Sequence, residues 1–174
     1  METWSECWKT GSALSIEPRM KHLGTHQGRT VYWLDYASWP SADLPKKDWL
    51  VFAVCNKAPD SEHFDRFARA CIANEIHEFK GFGDQGSLLD DLFDWTTVIM
   101  RTMEDHPEID VMTTWHDDES LASAFWQCFY ATCLRETVDL DNVTIVCTDM
   151  DGNDLSAELQ EYITRFNDGW MPEV

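Results

Sequence analysis

The residues best placed to do chemistry are carboxylates. Asp149-Met150-Asp151-Gly152-Asn153-Asp154-Leu155 follows the apolar run Val143-Thr144-Ile145-Val146. Two acids one residue apart on a tight loop suit Mg²⁺-assisted hydrolysis or phosphate transfer. One carboxylate attacks or holds the ion and the other moves a proton. Asp149, Asp151 and Asn153 at alternate positions also suit a Ca²⁺ loop, although the glycine falls early and the twelfth position is Gln160. Asp149 and Asp151 are therefore the metal candidates, with Mg²⁺ or Ca²⁺ as the ion; no other cofactor is expected. The competing use of such acids is an acidic turn that ends in a helix cap.

A second cluster is Trp115-His116-Asp117-Asp118-Glu119. An aromatic ring beside acids can recognise a cationic side chain, and the same residues can lock a strand–helix turn. Cys55 ends another apolar run, so a Cys55–His116 nucleophile–base pair is a further arrangement to test. Gly81-Phe82-Gly83-Asp84-Gln85-Gly86 fits G-x-G-x-x-G, a spacing that lets backbone approach a pyrophosphate. Asp84 within it, with Asp90 and Asp91 beyond, would repel that phosphate. No G-x-S-x-G elbow supports serine catalysis. The remaining histidines show no ligand spacing.

These residues need elements to hold them. Trp49 to Cys55 reads as a buried strand, Ile76 to Phe79 as a weaker one, and Ile109 to Trp115 and Asn142 to Cys147 as two more. Helical patterns lie between and after them. Phe64, Phe67, Ala68, Cys71 and Ile72 share one face of the first. Leu88, Leu92, Ile99 and Met103 form a stripe of the second, with Leu89, Phe93, Thr96 and Met100 beside it. Leu121, Phe125, Cys128 and Phe129 line the third, and Leu155, Leu159, Ile163 and Phe166 the last. Asp60 or Ser61, a Ser87–Asp90 capping box, Asp117 or Asp118, and Asp154 are the expected helix starts. Strand–helix alternation predicts an α/β fold with three layers, a mostly parallel sheet and flavodoxin-like topology. The domain proper spans 49–174. Residues 1–48 form an irregular, Trp-rich segment packed on it, with one strand candidate at Thr30 to Tyr36 placed at a sheet edge or in a hairpin. In such a sheet the loops after the strands meet on one rim, which gathers Asp60, Asp84, Asp117, Asp118, Glu119, Asp149, Asp151 and Asp154.

Charge narrows the partners. Thirteen Lys and Arg against 32 Asp and Glu give a formal net charge of −19. Such a surface repels nucleic acid phosphates and anionic membranes and attracts basic proteins. No run is long and apolar enough to span a bilayer, and the first twenty residues do not read as a signal peptide. Six cysteines without a C-x-x-C pair read as reduced thiols in a cytoplasmic protein.

Two resemblances add to this. Asp149 to Leu155 resembles the first motif of the haloacid-dehalogenase phosphatases, which implies Asp149 as nucleophile and Asp151 as acid/base. Asn153-Asp154 replaces that motif's single Thr, and only twenty residues remain for its downstream groups. Val111-Met112-Thr113-Thr114-Trp115-His116-Asp117-Asp118-Glu119-Ser120-Leu121, then Ala124-Phe125-Trp126 and Val138 to Asn142, is similar to a family of small uncharacterised bacterial α/β proteins, a domain of unknown function. That resemblance covers the last two thirds of the domain and carries no activity. The expected function is a non-catalytic protein-binding domain for a basic partner, inhibitor- or immunity-type, with Trp4, Trp8, Trp33 and Trp39 as aromatic anchors. The alternative is a small metal-dependent hydrolase or phosphate-transfer enzyme on the acidic rim.

Overall fold

The computed structural model describes residues 20–173. The described part of the N-terminal segment, expected to be irregular with one strand, holds two strands followed by a 3₁₀ turn and loop. Lys21–His26 (β1) and Arg29–Trp33 (β2) form an antiparallel hairpin. Its two-residue loop, Gln27-Gly28, has φ of 49° and 75°. Positive φ at both central positions matches the twist of paired strands. Asp35 then caps a 3₁₀ turn at Tyr36–Ser41 by accepting the N–H of Ala37.

Four further strands and four helices follow in alternation. They are Trp49–Val54 (β3), Ser61–Ala73 (α1), Glu78–Phe82 (β4), Gly86–Met103 (α2), Met112–His116 (β5), Leu121–Tyr130 (α3), Thr144–Asp149 (β6) and Ser156–Asn167 (α4). The sheet order is β1-β2-β6-β3-β4-β5, parallel throughout except for the β1–β2 pair. The α/β class and the mostly parallel sheet are as the sequence implies, but this order differs from flavodoxin-like winding. The strand candidate at Thr30 to Tyr36, expected at an edge or in a hairpin, is β2 of the hairpin, and it lies inside the sheet between β1 and β6. Its backbone is paired on both sides, with Thr30 N–H donated to the Val143 carbonyl and Leu34 N–H to the Cys147 carbonyl on the β6 side, while Val31 and Trp33 are buried in the layer beneath α3 and α4.

Every residue of β3 is buried, as a central strand covered on both faces must be. Leu50, Phe52 and Val54 face the cluster shared with α3 and α4. Trp49, Val51, Ala53 and Cys55 face α1 and α2. In α2 the buried stripe is Leu89, Phe93, Thr96 and Met100, while Met103 of the neighbouring stripe is 80% exposed.

The starts of the helices decide which acids remain free. Asp60 caps α1 by accepting the N–H of His63 at 2.8 Å. Asp154, expected to cap α4, stands one residue before the cap position Leu155, which makes no side-chain cap bond, and accepts the N–H of Ser156 at 2.9 Å. The other two expected caps are corrected. No side chain caps α2, which starts at Gly86 behind Gln85. Ser120, not Asp117 or Asp118, caps α3, accepting the N–H of Ser123 at 3.1 Å.

Candidate functional site at the carboxyl ends of the strands

The chain moves one way from β3 through β4 to β5, then crosses back to place β6 on the other side of β3. Reversals of this kind open a crevice at the carboxyl ends of the two strands that flank them. Here Asp149 and Asp151 occupy it. The Asp151 carboxylate accepts the backbone N–H of Asn56 at 2.8 Å and that of Lys57 at 3.1 Å, which ties the loop after β3 to the loop after β6. Asp149 is buried, and one of its oxygens accepts the N–H groups of Asp151 and Asn153 at 2.9 and 3.0 Å. The Asn153 amide lies against both Asp149 oxygens. An acid engaged in this way holds a turn. Among the described residues no group of three or more His, Cys, Asp or Glu side chains is arranged to hold a metal ion. Asp151→Asn is expected to cost about 1–2 kcal/mol, because an amide holds two N–H groups less well than a carboxylate. Urea denaturation at neutral pH measures it.

The Trp115–Glu119 cluster divides into an inward and an outward part. His116 is buried, and its Nδ1 lies 3.1 Å from Glu119 Oε1. The other Glu119 oxygen accepts from Ser123 Oγ at 3.0 Å and Gln127 Nε2 at 2.6 Å. Partial burial pushes the Glu119 carboxyl up, but hydrogen bonds from His116, Ser123 and Gln127 outweigh it and hold the group below its usual range. The bonds tie the end of β5 to the first turns of α3. His116 Nε2 is buried with no partner among the described residues. A Cys55–His116 pair does not form. Cys55 faces the α1–α2 layer, whereas His116 lies in register with Phe82 and Val54 on the α3–α4 side. Burial pushes the Cys55 thiol up to about 11, away from a nucleophilic thiolate.

The outward part is Trp115, Asp117 and Asp118. Trp115 is 52% exposed. Asp117, Asp118 and the neighbouring Asp84 are exposed, and among the described residues none of the three carboxylates caps a helix or joins an ion pair. The aromatic anchors expected elsewhere are not of this kind. Trp33 is buried in the core, and Trp39 is half-buried with its indole N–H donated to His63 Nε2 at 3.0 Å. Trp4 and Trp8 lie outside the described residues.

A feature unread in the sequence sits at the opposite end of the sheet. A cleft of about 480 Å³ is lined by His26, Trp126, Tyr130, Phe166, Asn167 and Trp170 among others. Asn167 Nδ2 donates to the Thr25 carbonyl, which turns its oxygen toward His26 Nδ1 at 2.8 Å. Nδ1 therefore carries the proton, and Nε2 accepts from the Tyr130 hydroxyl at 2.7 Å. These residues are separated by 104 and 141 positions, and no local spacing marks them.

No helix among the described residues is long and apolar enough to cross a membrane. Residues 31–166 match a family model described as a domain of unknown function, DUF7684, and the chain belongs to that family. The match takes in β2, upstream of the segment whose motif pointed to such a family. No curated protein and no solved structure matches the chain.

Proposed function

We propose that this member of the family is a protein-binding domain that receives a basic partner on the rim formed by Trp115, Asp117, Asp118 and Asp84. The observation that carries it is the pairing of an exposed indole with carboxylates left over from capping and ion pairing. Five other acids in the loops after the strands are used structurally: Asp60, Asp149, Asp151, Asp154 and Glu119 all hold backbone or side chains in place. The rim acids do not, and they lie in the field of a chain carrying a formal charge of −19. Clustered like charge speeds the approach of an oppositely charged protein. A half-exposed Trp beside it supplies the kind of anchor that dominates binding energy. The partner would be a cationic protein held non-catalytically, as an inhibitor or immunity protein holds its target.

The test is capture of partners on the immobilised full chain. A basic protein should be retained at about 50 mM salt and released at about 0.5 M, where surface charges are screened. The triple variant Asp84→Asn, Asp117→Asn, Asp118→Asn should lower the association rate about tenfold or more. Retention that is indifferent both to salt and to the triple substitution would defeat this reading.

A further inference from the structure

The structure assigns the outer edge of β5 as a docking edge for an extended, basic segment of the partner, added as a seventh strand. The inference rests on the binding role proposed for the adjoining rim and says how the partner is held.

The register of the ladder shows which groups are free. Met112 donates its N–H to the His77 carbonyl at 3.0 Å, and the His116 carbonyl accepts from Gly83 N–H at 3.2 Å. Residues 112 and 116 therefore turn their backbone toward β4. In a strand the intervening residues turn the other way, so Thr113 and Trp115 present their N–H and C=O groups outward. β5 pairs with β4 alone among the described strands.

The two edges of the sheet are treated differently. β1 carries Lys21 and a register break between His22 and Gly24, and α4 packs against it. Bulges, lysines and covering elements are how proteins protect an edge from further pairing. α2 packs against one face of β5, as α4 packs against β1, but β5 has neither the bulge nor the lysine. Its register is unbroken, its sequence Met-Thr-Thr-Trp-His lacks Lys and Pro, and Met112 and Trp115 are 46% and 52% exposed on its two faces.

Charge selects the occupant. Asp91, Asp94, Asp110, Asp117 and Asp118 are exposed on or beside β5, and Asp94 accepts from Thr113 Oγ1 at 2.8 Å. The cation at this edge, Arg135, is engaged by Asp110 through its carboxylate and its carbonyl. A second copy of this chain would bring like charge to like charge. A strand rich in Lys or Arg would meet opposite charge on both sides, its backbone zipped to Thr113 and Trp115.

The experiment uses the full chain and an end-capped heptapeptide of alternating Lys and Val at low salt. Thr113→Pro removes one outward N–H, a change that edge strands tolerate, and Thr113→Val removes the hydroxyl while keeping that N–H. Wild type and Thr113→Val should bind the peptide, and Thr113→Pro should bind at least tenfold more weakly. In wild type the peptide should slow hydrogen exchange at the Thr113 and Trp115 amides at least tenfold, a readout that stands whether or not the proline variant folds. Unchanged exchange at those amides, with binding still lost in Asp117→Asn/Asp118→Asn, would overturn strand addition and leave the acidic rim as the binding site. No binding by wild type would overturn both.

Discussion

Lys80→Met should destabilise the protein by about 3–5 kcal/mol, the cost of leaving one buried charge without its partner. Glu78 and Lys80 are both buried on the α3 side of β4, with Nζ 2.7 Å from Oε1. The pair is built into the end of α3. Lys80 Nζ donates to the Ala131 carbonyl at 2.9 Å, and Glu78 Oε2 accepts the Cys133 N–H at 3.0 Å. Arg29, also buried, donates to the Cys128 carbonyl. Two cations thus meet the carbonyls at the negative end of the helix dipole, and the Glu78 carboxylate offsets part of their charge. Burial lowers the Arg29 pKa, a cost that the nearby Glu78 charge partly offsets. Glu78→Leu/Lys80→Met should be less destabilised than Lys80→Met alone, because it removes both desolvated charges, and the exposed residues Ala131 and Cys133 can turn to water. Denaturant curves at neutral pH for wild type, both single variants and the double variant give the coupling. A double variant as unstable as the sum of the singles would mean that the two charges do not act as a pair.

That pair explains part of what the sequence concealed. In Glu78-Phe79-Lys80 the two charges alternate with an aromatic, the pattern of a strand with one wet face, so only Ile76 to Phe79 reads as strand. In the fold both faces are dry and the charges satisfy each other. β3 was legible because a continuous apolar run has few other places to go, and α1 because its apolar spacing is regular and Asp60 starts it. The strand order was not legible. It depends on β6 inserting between β2 and β3, and Thr144 to Asp149 reads the same wherever it is placed. At the rim, residue types pointed to the right loops but not to the right roles. Whether an aspartate caps, staples or faces solvent depends on which N–H groups reach it. For Asp151 those belong to residues 94 and 95 positions away. Ser120 could have been chosen as the cap of α3 from its place just before the apolar run, and that choice would have left Asp117 and Asp118 free for partners.

Gly83→Ala should cost about 3 kcal/mol or more, well above the same change at Gly152. Both glycines have positive φ, 96° and 84°, where a side chain is strained by about 1–2 kcal/mol. Gly152 has open space around a new Cβ, so the strain is its whole cost. At Gly83 the Cβ would lie 2.6 Å from Asn56 Oδ1 and 2.8 Å from the Cys55 carbonyl oxygen, and the latter is backbone. That packing is the reason for the glycine string. Gly81 and Gly86 let the end of β4 touch the start of α2, since a Cβ on Gly81 would lie 2.6 Å from the Gly86 carbonyl oxygen. The N–H groups that would cradle a pyrophosphate are already engaged: Gly83 donates to His116, Asp84 to the Asn56 side chain, Gln85 to Cys55 and Gly86 to Gly83. The glycines join the loops after β3, β4 and β5 instead of receiving a nucleotide. Thermal and urea unfolding of Gly83→Ala and Gly152→Ala measure the difference, and near-equal losses would mean that the loops after β3 and β4 yield to a new methyl. The same scan with a nicotinamide dinucleotide tests the other use of the string: a rise in the Tm of wild type would restore the phosphate reading, because a ligand that binds only the folded state must stabilise it.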